Sequence, residues 1–163
     1  MLQMHLYFCH RTFSIDFDRQ FDVRTCLRVN VVGDACASEC NDPEIPANWT
    51  SIPGGYFKGC NGIRRVTIPN SVIQIGAEVF QDCRNIQTTA ANSHGIEQIG
   101  AYAFRNCYKL ESVELTSIAY IFEYAFYCCR SLSRVVFGEN LLFVSFVAFY
   151  GTGMTSMTIP KNV

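Results

Sequence analysis

One spacing governs this chain. The pattern Phe-x-x-Cys-x-x-(Ile/Leu) occurs at Phe57-Cys60-Ile63, Phe80-Cys83-Ile86, Phe104-Cys107-Leu110 and Phe126-Cys129-Leu132. With Phe149 included, the phenylalanines step by 23, 24, 22 and 23 residues. Other columns keep the same register. Five places before each Phe stand Ile52, Ile75, Ile99, Ile121 and Val144, and three before those Trp49, Val72, Ile96, Ile118 and Leu141. Downstream, Val66, Val113, Val135 and Met157 line up, followed two places on by Ile68, Leu115, Phe137 and Ile159. In the last unit Thr152 takes the Cys place, and Met154 takes the Leu place after a one-residue deletion.

A fixed period of this length means a unit that cannot bury its apolar face alone and must stack on copies of itself. The step Val66-x-Ile68 has the period of two of a strand with one buried face, and Pro69 stops it by lacking an amide to donate. "SVIQIG" at 71–76 gives a second, shorter extended piece. "AEVF" at 77–80 reads as a tight turn or a single helical turn. The expected architecture is a β-rich solenoid of about five coils, on the order of 25 Å long at one strand spacing per coil. Its interior is a set of ladders, each built from one column.

The cysteine column then reads as volume. Cys60, Cys83, Cys107 and Cys129 point inward as small apolar plugs, and Thr152, of similar size, replaces the fifth. A thiol or metal ladder is the alternative. Zinc, however, wants ligands that converge, with short spacings, and single cysteines one coil apart with no His in their column do not converge. The position two after each Phe holds Gly59, Asp82, Asn106, Cys128 and Gly151. Gly, Asn and Asp best tolerate a left-handed backbone, so a tight turn is expected there in every coil. Cys128 is the misfit, and a candidate surface thiol.

"IRRVTIPNSVIQIGAEVFQDC" at 63–83, "IEQIGAYAFRNCYKLESVEL" at 96–115, "IAYIFEYAFYCCRSLSRVVF" at 118–137 and "VAFYGTGMTSMTIP" at 147–160 resemble the BspA-like class of leucine-rich repeat. The resemblance covers residues 49–163. It implies a right-handed curved solenoid of α/β or β-rich type, no catalysis, and a role in surface adhesion or protein recognition, at the cell surface or outside the cell. The implied partner is a protein or cell-surface ligand; the implied cofactor is none. The chain departs from the pattern where Phe122 and Ser145 replace the Gly after the Ile. It departs again at "NIQTTAANSHG", where Thr89 and Ala91 occupy apolar columns, so a weak strand and an interrupted concave sheet are expected there.

Residues 1–48 do not fit the repeat and are assigned to an N-terminal cap and lead-in, which the first coil of a solenoid needs. This stretch carries Cys9, Cys26, Cys36 and Cys40, and Cys36 with Cys40 could pair in an oxidising compartment. With nine cysteines in all, at least one stays unpaired or pairs with another chain. A zinc site from His5, Cys9, His10 and Cys26 has nonstandard spacing. At the other end "TIPKNV" breaks off where the next unit would begin, which reads as a fragment or a solenoid that continues. "NWT" at 48–50 fits the N-glycosylation acceptor pattern.

Composition narrows function further. Thirteen basic against 14 acidic residues leave a net charge of -1, with no overall footprint for nucleic acid or anionic lipid. The longest apolar run, at 141–150, is too short for a membrane helix. His5, His10, Arg11 and Asp16 interrupt the apolar N-terminus, so no secretory signal is read there. No phosphate loop, nucleophile elbow, His-Glu-x-x-His or Cys-x-x-Cys motif occurs.

Candidate contacts for a partner lie on two surfaces. The outward rows of the longer strands bring Arg64, Arg65, Glu111, Glu114 and Arg134 onto a mixed, mildly polar face. The positions flanking the column of Phe57, Phe80, Phe104, Phe126 and Phe149 turn aromatic in the later coils, placing Tyr102 beside Tyr124 and Tyr127 beside Tyr150. Such an edge suits a partner or a second copy, by self-association. The simpler use of these rings is to pack on one another and on the turn.

Overall fold

The computed structural model describes residues 42–91, 95–145, 147–161 and 163, together with the short pieces 7–8 and 11–12; for 88–91 it describes backbone only. Most of the cap assigned to 1–48, including its four cysteines and the zinc option, lies outside the described residues.

Eleven strands are described: β1 (Tyr7–Phe8), β2 (Arg11–Thr12), β3 (Ser51–Ile52), β4 (Arg65–Ile68), β5 (Gln74–Ile75), β6 (Thr88–Ala91), β7 (Gln98–Ile99), β8 (Ser112–Leu115), β9 (Tyr120–Ile121), β10 (Arg134–Phe137) and β11 (Phe143–Val144). β1 and β2 pair antiparallel. The rest form two parallel sheets, β10-β8-β6-β4 and β11-β9-β7-β5-β3; each of the first four coils gives one strand to each sheet, and the fifth gives β11 to the second sheet alone. Register follows the sequence columns. Ile52, Ile75, Ile99, Ile121 and Val144 stand one above another. β4 alternates exposed and buried along Arg65–Ile68, as a period of two demands.

No helix occurs among the described residues. The "AEVF" segment and its counterparts are turns, and the backbone shows why. Positive φ recurs twice per coil, at Gly55 and Gly59, Glu78 and Asp82, Tyr102 and Asn106, Tyr124 and Cys128. A left-handed residue every fourth position stops a right-handed helix from propagating. In exchange, the turn forms a third ladder. Amides alternate between two kinds of partner. Glu78, Phe80 and Asp82 donate to Ala101, Ala103 and Arg105 of the next coil, while Gln81 and Cys83 donate to Glu78 and Phe80 within their own. Backbone that would otherwise be orphaned is thus paired all along the turn. Cys128 adopts the same left-handed conformation as its column, with φ 58°.

Two departures from the sequence reading stand out. The first concerns the weak coil. β6 does form, and it pairs with β4 along all four residues. Toward β8 only Thr88 with Ser112 is in register. This is the coil with a 24-residue step, and its extra residue falls between Ala91 and Ile96. The second concerns the coil count. The longer sheet has four strands, because Ser156 to Ile159 form no strand. Met157 and Ile159 are exposed. Among the described residues a strand there has a neighbour on one side only, and none of them covers its apolar side chains. Val135 and Phe137 on the edge strand β10 are accordingly only half-buried.

At the other end, Glu44 bridges Thr67 in parallel, and Pro43 and Ile45 are buried. Residues 42–48, read from sequence as lead-in, therefore run alongside the first coil. Spacing shows it in hindsight: Glu44 precedes Thr67 by one 23-residue period.

Candidate functional site: an aromatic and cationic surface on a thiol-lined core

The core runs the length of the stack. Phe57, Phe80, Phe104, Phe126 and Phe149 form one column of stacked rings with centroids 5.2, 5.1, 5.2 and 5.0 Å apart. Beside it lie Cys60, Cys83, Cys107 and Cys129, all buried. The thiols do more than fill space. Cys83 Sγ donates to the Phe57 carbonyl at 2.8 Å, Cys107 Sγ to Phe80 at 3.2 Å and Cys129 Sγ to Phe104 at 3.0 Å. Each thiol thus ties its coil to the carbonyl of the coil before it. Thr152 Oγ1 instead donates to the Phe149 carbonyl of its own coil, at 2.9 Å. The sequence suggested a volume role; the donor role follows from placing a weak S–H next to a carbonyl that already accepts one turn amide and has a second lone pair to offer.

Burial pushes the Cys83 thiol up from 9.0 to about 12. Burial also raises Cys107 well above its ordinary value, helped by the neighbouring Cys129 thiol. Thiols held protonated inside a core are poor nucleophiles and poor metal ligands. Cys60 differs, being disulfide-bonded. Cys83, Cys107, Cys128 and Cys129 are free. Among the described residues no three or more His, Cys, Asp or Glu gather as a metal set.

The candidate residues on the longer sheet do not converge. Arg64 and Arg65 lie on the first coil, Glu111 and Glu114 on the third and Arg134 on the fourth, all exposed. Arg65 pairs with Asp42 at 3.6 Å. Val136 sits in register beside Glu114, which dilutes the charge of that face.

The tyrosines form a connected set. Tyr102 stacks on Tyr124 with centroids 5.0 Å apart, Tyr124 meets Tyr127 edge-on at 5.4 Å, and Tyr127 stacks on Tyr150 at 5.6 Å. Tyr102, Tyr124 and Tyr127 are half-buried by one another, and Tyr150, at the end, is 66% exposed. The Arg105 guanidinium lies between Tyr102 and Tyr127, 5.6 and 5.8 Å from their ring centres. Its Nε is buried without a hydrogen-bond partner. The Tyr127 hydroxyl is pushed above its ordinary pKa, first by charge on the adjacent Cys128.

Two features escaped the sequence reading. On the outward face of the small sheet, Ser51, Gln74 and Gln98 give way to Tyr120 and Phe143 in the later coils. Tyr120, Phe122, Leu142 and Phe143 are all exposed, and Phe122 lies 6.3 Å from Phe143. Four places after the Phe column, Tyr108 lies between Arg84 and Arg130, with guanidinium carbons 5.7 and 5.2 Å from the ring centre. Both sets were readable as columns.

Comparisons with known proteins fit this geometry. The family model described as "BspA type Leucine rich repeat region" matches residues 50–163 in 6 copies. No curated protein matches the sequence. Among solved structures, the chain is similar to a leucine-rich repeat protein of T. pallidum, at 26% identity and TM-score 0.58 over 62% of this chain and 50% of that one. It is also similar to a leucine rich cell surface protein of Faecalibacterium prausnitzii, at 23% identity and TM-score 0.58 over 76% of this chain and 42% of that one. The likeness to a leucine-rich repeat protein of Eubacterium ventriosum, at 16% identity, TM-score 0.52 and coverage of 75% and 46%, concerns the fold alone. The chain thus spans half or less of the length of these three proteins.

Proposed function

The chain belongs to the BspA-type leucine-rich repeat family, and from that premise we propose that it is a non-catalytic protein-interaction module that works at the cell surface or outside the cell. Recognition runs through the aromatic edge of the later coils, Tyr102, Tyr124, Tyr127 and Tyr150. The observation that carries this reading is the connected stack of four tyrosines ending in an exposed ring. Tyr concentrates at binding hot spots because it offers a large, stiff, amphipathic contact at little entropic cost. The F. prausnitzii neighbour is described as a cell surface protein, which supports the location. Asn48, the acceptor position of "NWT", is exposed, as attachment of a glycan in an exported protein would require.

The test is a double variant, Tyr124→Ser with Tyr127→Ser, compared with the parent by sedimentation and by binding to cell surfaces. Loss of self-association or of cell binding supports the edge as the contact. Unchanged assembly and unchanged binding reject it. The half-exposed free thiol of Cys128 favours a second reading, an intracellular scaffold of the same architecture, since reducing compartments preserve such thiols. Thiol counts on denatured protein from the native source, with and without reductant, separate the two. A bridged Cys60 places the chain outside the cytosol, and a fully reduced set places it inside.

A further inference from the structure

A second surface has a chemistry of its own. Arg84, Tyr108 and Arg130 occupy one column in three successive coils, on backbone that is pinned coil to coil. The Arg84 amide donates to Asn61 Oδ1 at 3.2 Å, Asn85 Nδ2 to the Asn61 carbonyl at 2.8 Å, and the Ser131 amide to the Tyr108 carbonyl at 3.2 Å. Both arginines are exposed, and Lys109, next to Tyr108, is exposed as well. The ion pairs of the described residues are Lys58 with Glu78 and Arg65 with Asp42; neither involves Arg84, Lys109 or Arg130. Asp82, the acid nearest Arg84 in sequence, is engaged by Asn106 Nδ2 at 2.7 Å. Three cations therefore share a short stretch of surface, without an ion-pair partner among the described residues, in a protein whose net charge is -1.

The central ring decides what this stretch can recognise. Guanidinium groups approach Tyr108 from the coils on both sides, so its faces are not free to stack on a sugar or a base. What remains on offer is the hydrogen-bonding edge of each fork, held in place by cation–π contact, and such forks match carboxylates two bonds at a time. The forks sit two coils apart, about 9.6 Å at one strand spacing per coil. A peptide in the polyproline II conformation returns to the same facing every third residue and advances about 9.3 Å in doing so. We propose that the Arg84–Tyr108–Arg130 stack is a docking site for an extended acidic peptide segment of a partner protein, with Asp or Glu at every third position. The site is separate from the tyrosine edge and does not depend on it.

The probe is a synthetic peptide of Glu-Pro-Pro repeats, with a Gln-Pro-Pro repeat as control, titrated against the whole chain by calorimetry or fluorescence anisotropy. The expected result is binding of the Glu peptide that weakens as salt rises, with the Gln peptide weaker by about tenfold or more. Arg84→Gln and Arg130→Gln should each cost a similar factor. The double variant Arg84→Lys with Arg130→Lys, which keeps the charge and loses the forks, should lose most of the affinity. Exposed Arg substitutions leave the core alone, and an unchanged melting curve verifies that. Tyr124→Ser with Tyr127→Ser should bind the peptide normally, so failure here and failure of the tyrosine edge are told apart. Equal affinity for both peptides, full binding by the Lys double variant, or binding of a sulfated polysaccharide in place of the Glu peptide would overturn the proposal.

Discussion

Inside this stack a cysteine is chosen for two properties at once: small volume and a weak donor. Cys83, Cys107 and Cys129 each fill a gap beside a phenylalanine and close a hydrogen bond to the previous coil. Protonation is part of the arrangement, because only the thiol can donate. With its pKa raised from 9.0 to about 12, folded Cys83 keeps a proton that the unfolded chain releases. Below about pH 9 both states hold that proton and stability is undiminished. From there toward pH 12 the unfolded chain binds fewer protons, so stability must fall as pH rises. Cys107 is shifted in the same direction and adds to the fall. Denaturant midpoints followed from about pH 8 to about pH 11 should hold to about pH 9 and then drop, and Cys83→Ala should flatten part of that drop while lowering stability throughout. The column assignment made these thiols legible as interior from sequence. Their bonds were not legible, since spacing does not say which carbonyl of the neighbouring coil each thiol will face.

Each coil is a closed circuit of two strands and one turn, and its glycines mark where coils approach most closely. A Cβ on Gly100 would come within 2.6 Å of the Ala77 nitrogen and 2.7 Å of the Gly76 carbonyl carbon, both backbone. Backbone cannot swing aside as a side chain can. Gly100→Ala should therefore destabilise by about 1–3 kcal/mol in a urea titration, with the loss reflecting a shift of the whole coil. A loss of a few tenths would show that the coils are more loosely stacked than described. Phe122 holds the same column and still donates its amide to Ile99 at 3.0 Å, as Gly100 does to Ile75 at 2.8 Å; nothing in the structure explains how that coil admits the larger residue. Strands were the readable part of the unit, because a period of two carries them. The turn was half readable. Gly59, Asp82 and Asn106 announce one left-handed position, but Glu78, Tyr102 and Tyr124 hide the other, which Gly55 alone betrays. There the ladder to the next coil overrides the preference of the individual residue.

Taken together the coils make one interior whose worth depends on neighbours above and below. A ring in mid-stack is packed on both faces and a ring at the end on one. Phe126 is fully buried between Phe104 and Phe149, whereas Phe149 is only half-buried. Phe126→Ala should cost about 3–5 kcal/mol, and Phe149→Ala clearly less, as read by thermal and urea unfolding. Equal costs would mean that the last coil is covered by something more. The number of coils was the part least legible in sequence. The columns counted five, and the longer sheet stops at four, because a column can name a residue's place but cannot supply the neighbour that would bury it. The aromatic surfaces were legible only as a trend. Tyrosines accumulate toward the C-terminal coils, yet Arg105 between Tyr102 and Tyr127, and Tyr108 between two arginines, emerge only once the coils are set side by side.

The shared interior is tested most directly by mapping thiol reactivity on the native protein with a maleimide, read residue by residue by mass spectrometry. Cys128 should label, while Cys83, Cys107 and Cys129 should stay unmodified until the chain is unfolded and then label together. Labelling of any one of those three at the rate of Cys128, in protein that remains folded, would contradict a single thiol-lined core.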